Sequence, residues 1–295
     1  MTVAAPARLR EYNGPITRGA RWDAYRPRPG DIIISAPAKS GMTWTQAICA
    51  MLIFGRADLT IQPARLSPWF DSNFEPLAPM LQRLEAQAHR RYLKTHTPLD
   101  GLPYFPEVSY LAVYRHPLDA FFSAASLART TARGNLRVRG ATPTDLREFM
   151  LACIRTPFSE GVGEQLSVAS VAQHLTSFWT WRGLANIHLF HYADMKRDLR
   201  ASIKSIASAV GANVDDAAAS AMAEAADFAN MQSRAPQFVP ESGGSWKSPQ
   251  DFFRSGVGGQ WRDVLSEGDL IEFRQAYAAA LPDSAAAVWL ENGNV

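Results

Sequence analysis

Segment 31–55, DIIISAPAKSGMTWTQAICAMLIFG, decides the fold. It opens with a β-branched run at 31–35, whose continuous apolar character is typical of a strand buried on both faces of a parallel sheet. A loop follows at 36–41. Met42–Phe54 then contains no proline or glycine, and Gly55 provides a helix stop signal. The segment therefore predicts a strand, a loop and a helix in that order.

The same alternation continues along the chain. The further elements expected are strands at 91–96, 108–114 and 186–192, and helices at 80–88, 118–128 and 195–210. Alternating strands and helices imply a parallel sheet with right-handed crossovers. We therefore expect an α/β protein with a three-layer, P-loop-like fold, in which helices flank a central parallel sheet.

The chain is expected to form one domain over 1–295, because no repeat or linker divides it. Residues 1–29 are polar and contain prolines, which predicts an extended N-terminal arm. Residues 129–165 and 233–260 are rich in glycine, arginine or proline. Both are predicted to be long, mobile loops, since long loops in compact domains usually carry function.

The composition excludes several classes of protein. Apolar residues make up 47% of the 295 and charged residues 20%, which excludes a disordered chain. A net charge of +2 gives no basic excess for nucleic-acid binding. Two cysteines, Cys49 and Cys153, form neither a disulfide scaffold nor a zinc site, so they are expected to be buried thiols in a reducing compartment. With neither a signal peptide nor a transmembrane run in the sequence, we expect a cytoplasmic protein.

The loop after the first strand has the properties of an anion site. Such a loop offers unpaired backbone N–H groups and the positive end of a helix dipole, which bind phosphate. Lys39 adds a charge, Ser40 and Thr43 add hydroxyl donors, and Gly41 allows close backbone approach. The loop is not a Walker A motif, because its lysine precedes the Ser-Gly pair. The alternative is an ordinary turn with a surface lysine.

Lys94 and His96 form a second candidate pair. Residues two apart on a strand point to the same side, and ligands bind at the carboxyl ends of parallel strands. His96 is a candidate general base there, and Lys94 can support developing negative charge. The alternative is that His96 is an ordinary core or surface histidine, as most single histidines are.

Two further motifs contain arginines. Arg115 ends the third strand and Ser123 lies two turns into the next helix, so together they can clamp a phosphate. The glycine-rich segment 252–261 contains Arg254 and is typical of a loop that closes over a ligand. The alternatives are an arginine that caps a turn and a flexible surface loop.

Together, these motifs resemble the cytosolic-type sulfotransferases, which use 3′-phosphoadenosine-5′-phosphosulfate (PAPS) as sulfuryl donor. The resemblance rests on Lys-Ser-Gly-x-Thr-Trp, Lys-Thr-His, Arg and Ser eight apart, Tyr-x-Asp-Met-Lys and Phe-x-Arg-x-Gly-x-x-Gly-x-Trp, and it spans 31–261. The sequences at 36–46, 94–103 and 191–195 most resemble the mycobacterial glycolipid sulfotransferases. The chain is then a single sulfotransferase domain.

The resemblance implies a donor site. Its residues would be Lys39, Ser40, Gly41, the Met42 amide and Thr43 for the phosphosulfate; Trp44, Tyr192 and Phe228 for the adenine; and Arg115, Ser123, Phe253, Arg254, Ser255 and Gly256 around the 3′-phosphate. The sequence departs from the family at Met42, Ala226 and Gln260, and Ser255 replaces a usual lysine. The family's dimerisation pattern is not recognisable at 262–269, which leaves the oligomeric state open.

The resemblance also implies roles in the reaction. His96 would accept the acceptor's proton, Lys39 would meet the leaving-group oxygen, and Lys94 would steady the sulfuryl oxygens. Ser123 would hold Lys39 away from the donor until the acceptor arrives. No metal is expected, since the lysines supply the positive charge and no cluster has metal-ligand spacing.

The acceptor is expected to be a small molecule or a glycolipid with a free hydroxyl. Trp69, Phe70 and Phe74 are the candidate pocket residues, with Phe122 beside them and Phe121 in the core. Two other functions stay open at this point. One is a small-molecule kinase that holds ATP in the same loop, and the other is a non-catalytic nucleotide-binding protein.

Overall fold

The structure is a computed structural model that describes residues 5–59, 62–130, 138–238, 252–253 and 255–294; of Thr130 it describes the backbone only. No helix in these ranges is long and apolar enough to cross a bilayer.

The sheet contains the four predicted strands, all parallel, in the order β2-β1-β3-β4. They are β1 (Ile32–Ser35), β2 (Tyr92–Thr95), β3 (Ser109–Tyr114) and β4 (Ile187–His191). β1 is an inner strand: β2 pairs with one of its edges and β3 with the other, and β4 pairs with β3. The carboxyl ends of β1, β2 and β3 therefore meet at one edge.

Thirteen α-helices lie in the described ranges. They are α1 (Met42–Phe54), α2 (Pro63–Leu66), α3 (Leu77–Glu85), α4 (Pro117–Thr130), α5 (Leu146–Arg155), α6 (Val168–Trp179), α7 (Tyr192–Arg197), α8 (Leu199–Ala209), α9 (Asp216–Ala225), α10 (Phe228–Ser233), α11 (Ala235–Phe238), α12 (Glu267–Ala280) and α13 (Ser284–Asn292). Three 3-10 helices span Gly19–Ala24, Leu99–Gly101 and Gln260–Asp263.

Two hydrophobic clusters cover the two faces of the sheet. Ile33 packs with α4, α5 and α6 in one cluster, whereas Ile32 and Ile34 pack with α1, α8 and α9 in the other. All three isoleucines are fully buried. The predicted three-layer α/β architecture is confirmed, and the apolar run of β1 is explained by burial on both faces.

The single helix predicted at 195–210 is wrong in its extent. The structure has two helices there, α7 and α8, and Asp198 lies between them with an extended backbone (φ −144°, ψ 90°). The Asp198 carboxylate accepts a hydrogen bond from the Ala201 amide at 2.9 Å, which caps α8. A capping aspartate inside an otherwise helical pattern therefore breaks the helix.

The loop predicted at 129–165 is wrong over 146–155, which forms α5. Asp145 caps this helix by accepting from the Glu148 amide at 3.1 Å, and Phe149 is fully buried. This amphipathic helix was not predicted because the sequence around it is rich in glycine and arginine. The predicted loop at 233–260 includes α11 and the start of a 3-10 helix, while 131–137 and 239–251 lie outside the described residues.

The predicted N-terminal arm is part of the core. Gly19–Ala24 forms a 3-10 helix, and Trp22 and Tyr25 are 2% and 3% exposed. The Trp22 ring lies 4.6 Å from the ring of Phe70, measured between centroids. The aromatic residues of the arm are therefore buried, so an extended arm describes only part of 1–29.

Candidate active site

A cavity of about 1240 Å³ opens at the carboxyl ends of the strands. It brings together most of the residues predicted for the site. Those that line it are Lys39, Gly41, Met42, Thr43, Trp44, Lys94, His96, Arg115, Ser123, Tyr192, Phe228, Phe253, Ser255 and Gly256. Arg254 lies outside the described residues.

The loop between β1 and α1 is bent by two left-handed residues. Gly41 caps α1 at φ 113°, and Lys39 has φ 67°. The positive φ favours glycine at position 41, and a Cβ there would make a tight contact of 3.3 Å with the Tyr192 ring. The Ser40 hydroxyl is buried and has no hydrogen-bond partner among the described residues. The loop thus presents an unsatisfied donor beside the amino end of α1.

Lys39 projects into the cavity, where its Nζ lies 4.6 Å from the centroid of the Phe252 ring. Burial, together with the charges of Arg115 and Lys94, lowers the pKa of Lys39 to about 8. A lysine with this pKa is still largely protonated at neutral pH. It can therefore stabilise negative charge or donate a proton as that charge develops.

His96 lies at the end of β2 with a defined tautomer. Its Nδ1 is 2.6 Å from the Ala36 carbonyl oxygen. Because a carbonyl oxygen only accepts, Nδ1 carries the proton and Nε2 keeps a free lone pair. Burial lowers the pKa of His96 to about 4, with Lys94 and Lys39 adding to the effect, so the ring is neutral at pH 7.

Lys94 and His96 both line the cavity, as their spacing on β2 predicted. The Trp69 ring lies beside both side chains. Its centroid is 5.0 Å from Lys94 Nζ and 4.8 Å from the His96 ring. Burial lowers the pKa of Lys94 to about 8, and the charge of Asp71 opposes this effect.

Arg115 is held at the end of β3 by two contacts. Its guanidinium lies 4.5 Å from the centroid of the Tyr192 ring, and its Nε is 4.0 Å from an Asp119 oxygen. The side chain is only 11% exposed. Nε is buried and lacks a hydrogen-bond partner in the part of the chain that is described. Such an arginine can bind an anion that enters the cavity.

Aromatic rings form a slot beside Arg115. The Trp44 indole N–H donates to the Ala226 carbonyl at 2.8 Å, and the Tyr192 ring lies edge-on to Trp44 at 5.2 Å. Phe228 also lines the cavity. Gly256 has φ 63°, and a Cβ there would lie 2.8 Å from the Phe228 ring, which explains a glycine at this position. The slot has the flat apolar walls that a purine base needs.

Sequence reasoning missed several polar residues that line the cavity, and two of them bind the glycine-rich segment. Asp119 accepts from the Gly259 amide at 2.7 Å and so ties the glycine-rich segment to α4. Lys196 donates to the Gly256 carbonyl at 2.6 Å. The four-residue spacing from Arg115 to Asp119 was the available signal for the first. Nothing in the sequence indicated that Lys196 would reach Gly256.

The aromatic residues of the predicted acceptor pocket separate into two groups. Trp69, Phe74 and Phe122 line the cavity, and Phe74 is 61% exposed at its mouth. Phe70 does not line it: the side chain is fully buried against Trp22. The assignment of Phe70 to the pocket is therefore wrong. Phe121 is a core residue, as expected.

Comparison with known proteins fits this site. The sulfotransferase domain family matches residues 29–285. The chain belongs to the sulfotransferase family. This confirms the resemblance seen in the sequence, together with the reaction class of a PAPS-dependent sulfotransferase. It also sets aside the kinase alternative.

Two relatives of this sulfotransferase are glycolipid sulfotransferases of Mycobacterium bovis and Mycobacterium tuberculosis. Each is 33% identical, over 89% of this chain and 88% of the relative. Among solved structures, a mouse sulfotransferase complexed with PAP (adenosine 3′,5′-bisphosphate) matches with a TM-score of 0.70 at 20% identity, over 92% of this chain and 91% of that chain. Retinol dehydratase complexed with retinol and PAP matches with a TM-score of 0.67 at 19% identity, over 90% of this chain and 85% of that chain. These likenesses show the fold.

Proposed function

We propose that this sulfotransferase transfers a sulfuryl group from PAPS to a hydroxyl of a small-molecule or glycolipid acceptor, with His96 as the general base. One observation supports this most: the hydrogen bond from His96 Nδ1 to the Ala36 carbonyl, which leaves Nε2 free in the cavity. A base must be unprotonated and must face the proton that it removes. His96 meets the first condition through its tautomer and its lowered pKa.

The cavity and the loop that borders it fit the donor because each holds a buried donor without a partner: Arg115 lines the cavity, whereas Ser40 lies in the loop and does not line it. The Ser40 hydroxyl and Arg115 Nε are both unsatisfied among the described residues, as expected for groups that bind an anion. Lys39, Ser40, Gly41, Met42 and Thr43 would hold the phosphosulfate. Trp44, Tyr192 and Phe228 would hold the adenine, and Arg115, Ser123, Phe253, Arg254, Ser255 and Gly256 the 3′-phosphate. PAPS supplies the sulfuryl group; adenosine 3′,5′-bisphosphate is the product.

The charged lysines and the neutral His96 have different roles in the proposed reaction. His96 accepts the proton of the acceptor hydroxyl through Nε2. Lys39 meets the charge that develops on the leaving group, and Lys94 steadies the oxygens of the transferred group. Both lysines carry their charge in a site shielded from water, where electrostatic stabilisation has its largest effect. Ser123, on α4, would hold Lys39 until the acceptor binds.

The acceptor half of the cavity is apolar near His96 and open at its mouth. Trp69 lies beside His96, and Phe74 is exposed at the edge. An acceptor with an apolar body and one reactive hydroxyl fits this arrangement. The name of the mycobacterial relatives supports a glycolipid as one such acceptor. The buried thiols of Cys49 and Cys153 suit a cytoplasmic site of action.

Ligand-induced stabilisation and sulfuryl transfer test this function together. Binding to the native state raises the melting temperature by mass action. We expect adenosine 3′,5′-bisphosphate to raise it and ATP with Mg²⁺ to leave it unchanged. With ³⁵S-labelled PAPS we expect label transfer to at least one of 2-naphthol, a hydroxysteroid and an alkyl glucoside. A shift with ATP alone would contradict the proposal, and a shift with the bisphosphate but no transfer would favour a non-catalytic binding protein.

A further inference from the structure

His191 is a buried histidine that none of the steps above uses. It is the last residue of β4, it is 1% exposed, and it pairs with Tyr114 of β3 in the sheet. The next residue, Tyr192, begins α7 and lines the cavity. His191 is therefore adjacent in the chain to a residue of the proposed donor site, although it does not itself line the cavity.

Both ring nitrogens of His191 have a hydrogen-bond partner. Nδ1 accepts from the Ala193 amide at 3.2 Å, which caps α7. Nε2 lies 3.1 Å from the Leu290 carbonyl oxygen of α13. Because that oxygen only accepts, Nε2 carries the proton, and the ring is neutral. One side chain thus joins the start of α7 to α13.

The cap on α7 differs from the other side-chain caps that the structure describes. The helices α5, α6, α8, α9, α10, α12 and α13 are capped by aspartate or serine. Such short side chains satisfy the first amides of a helix without any further contact. Capping alone therefore does not require a histidine at 191. What the histidine adds is the donor at Nε2, which reaches Leu290 of α13.

The residues that follow α13 hold α7 at a second point. Asp194 of α7 accepts from the Asn294 backbone amide at 3.0 Å and from its side-chain amide at 2.8 Å. Gly293 has φ 74°, and a Cβ there would lie 2.6 Å from Asp194 Oδ1. The Trp289 ring of α13 also lies edge-on to His191, with 5.3 Å between centroids. Helix α7 is therefore fixed to α13 and to 293–294 at two of its turns.

Helix α7 carries three side chains that line the cavity, Tyr192, Met195 and Lys196. The Tyr192 ring lies 4.5 Å from the Arg115 guanidinium, and Lys196 donates to the Gly256 carbonyl at 2.6 Å. Arg115 and Gly256 are among the residues proposed to surround the 3′-phosphate. The placement of α7 therefore sets how the groups that the donor must contact lie relative to one another.

We propose that His191 is a positioning residue for donor binding. Its link to α13, supported by the contact of 293–294 with α7, holds Tyr192 and Lys196 in their places in the cavity. This rests on the proposed function, since it concerns the site assigned to adenosine 3′,5′-bisphosphate. A site that is already in its bound arrangement binds more tightly than one that the ligand must order. Loosening α7 lowers the fraction of molecules that are ready to bind, and the apparent Kd rises in inverse proportion to that fraction.

The test is His191→Phe, in which a ring can still pack against Trp289 but neither hydrogen bond can form. We expect the Kd for adenosine 3′,5′-bisphosphate, measured by titration calorimetry, to rise about fivefold. With PAPS we expect the KM to rise by a larger factor than kcat falls, because the Ala36 carbonyl and not α7 positions His96. A merely structural role would lower the melting temperature and the number of binding sites per chain but leave the Kd of the folded molecules unchanged. That result would overturn the proposal.

The variant His191→Asn separates the cap from the link to α13. Asparagine can cap α7, but it has no donor at the position of Nε2. We expect the Kd for the bisphosphate to rise here as well. A Kd equal to that of the wild type would mean that the cap alone is enough, and it would overturn the role of the link to α13.

His188→Phe is the matched control. His188 is a half-buried histidine of the same strand, and its Nε2 is buried without a hydrogen-bond partner in the described part of the chain. Its replacement removes no link at that nitrogen, so we expect the Kd for the bisphosphate to stay unchanged. An equal rise in the His188 and His191 variants would contradict a specific effect of His191.

Gly293→Ala tests the second contact and decides the matter if His191→Phe does not fold. The added Cβ displaces 293–294 from Asp194 while His191 stays intact. We expect the Kd for the bisphosphate to rise about twofold to threefold. An unchanged Kd would overturn the proposal that α13 and 293–294 hold α7 for the donor. A wild-type protein that does not bind the bisphosphate would instead contradict the proposed function, so the two failures are distinguishable.

Discussion

The proposed donor side and the proposed acceptor side of the cavity are built in different ways. The donor side is formed by backbone at fixed places in the fold: the β1–α1 loop, the amino end of α1 and the end of β3. The acceptor side is formed by Phe122 of α4 and by side chains of 62–83, a segment whose backbone pairs with β2 at a bridge between Trp69 and Lys94. The chemistry of the donor side therefore follows from topology, whereas that of the acceptor side depends on which way single side chains point.

The largest effect on the proposed donor side is expected at Lys39. We expect Lys39→Ala to lower kcat about 10²- to 10³-fold, because it removes a charge aimed at the leaving group. Affinity for adenosine 3′,5′-bisphosphate should fall much less, since the backbone N–H groups of the loop remain. Single-turnover kinetics and titration calorimetry separate the two quantities.

Equal losses in rate and in bisphosphate affinity would make Lys39 a binding residue only. The donor side would then depend on a side chain, as the acceptor side does, and the contrast between them would fail.

The sequence predicted the elements around the proposed donor side well because short motifs fix backbone geometry. Met42–Phe54 was predicted with its observed bounds, and the spacing of Lys94 and His96 correctly placed both in the cavity. The break at Asp198 was missed because one capping aspartate outweighed a long helical pattern. Phe70 was misplaced because a lone aromatic residue carries no signal for whether it faces the core or a cavity.

A smaller effect is expected on the acceptor side at Phe74. This residue is exposed at the cavity mouth, so Phe74→Ala should raise the acceptor KM about tenfold through lost apolar contact, with the bisphosphate melting shift unchanged. Phe70→Leu is the control, because Phe70 is in the same segment but buried in the core. It should lower the melting temperature and leave the acceptor KM alone. A larger KM effect at Phe70 would reverse the assignment of the two rings.

The smallest effect is expected at Ser255, on the proposed donor side. Its hydroxyl donates to Gln260 Oε1 at 3.2 Å, and Ser255 lines the cavity, where we proposed that it contacts the 3′-phosphate. We expect Ser255→Lys to tighten bisphosphate binding by about 1 kcal/mol or less, with the gain shrinking as salt rises. Adenosine 5′-monophosphate should bind as before. Equal gains for both ligands would mean that Ser255 does not face the 3′-phosphate.

Proton acceptance by His96 is the step on which the proposed chemistry depends, and His96→Asn tests it most directly. Asparagine cannot accept the proton at neutral pH, so kcat should fall about 10²- to 10⁴-fold while bisphosphate affinity stays within about twofold. His188→Asn is the control, because His188 is a half-buried histidine of β4 that does not line the cavity; it should leave kcat unchanged. A His96→Asn enzyme that keeps more than about half of the wild-type kcat would contradict His96 as the base.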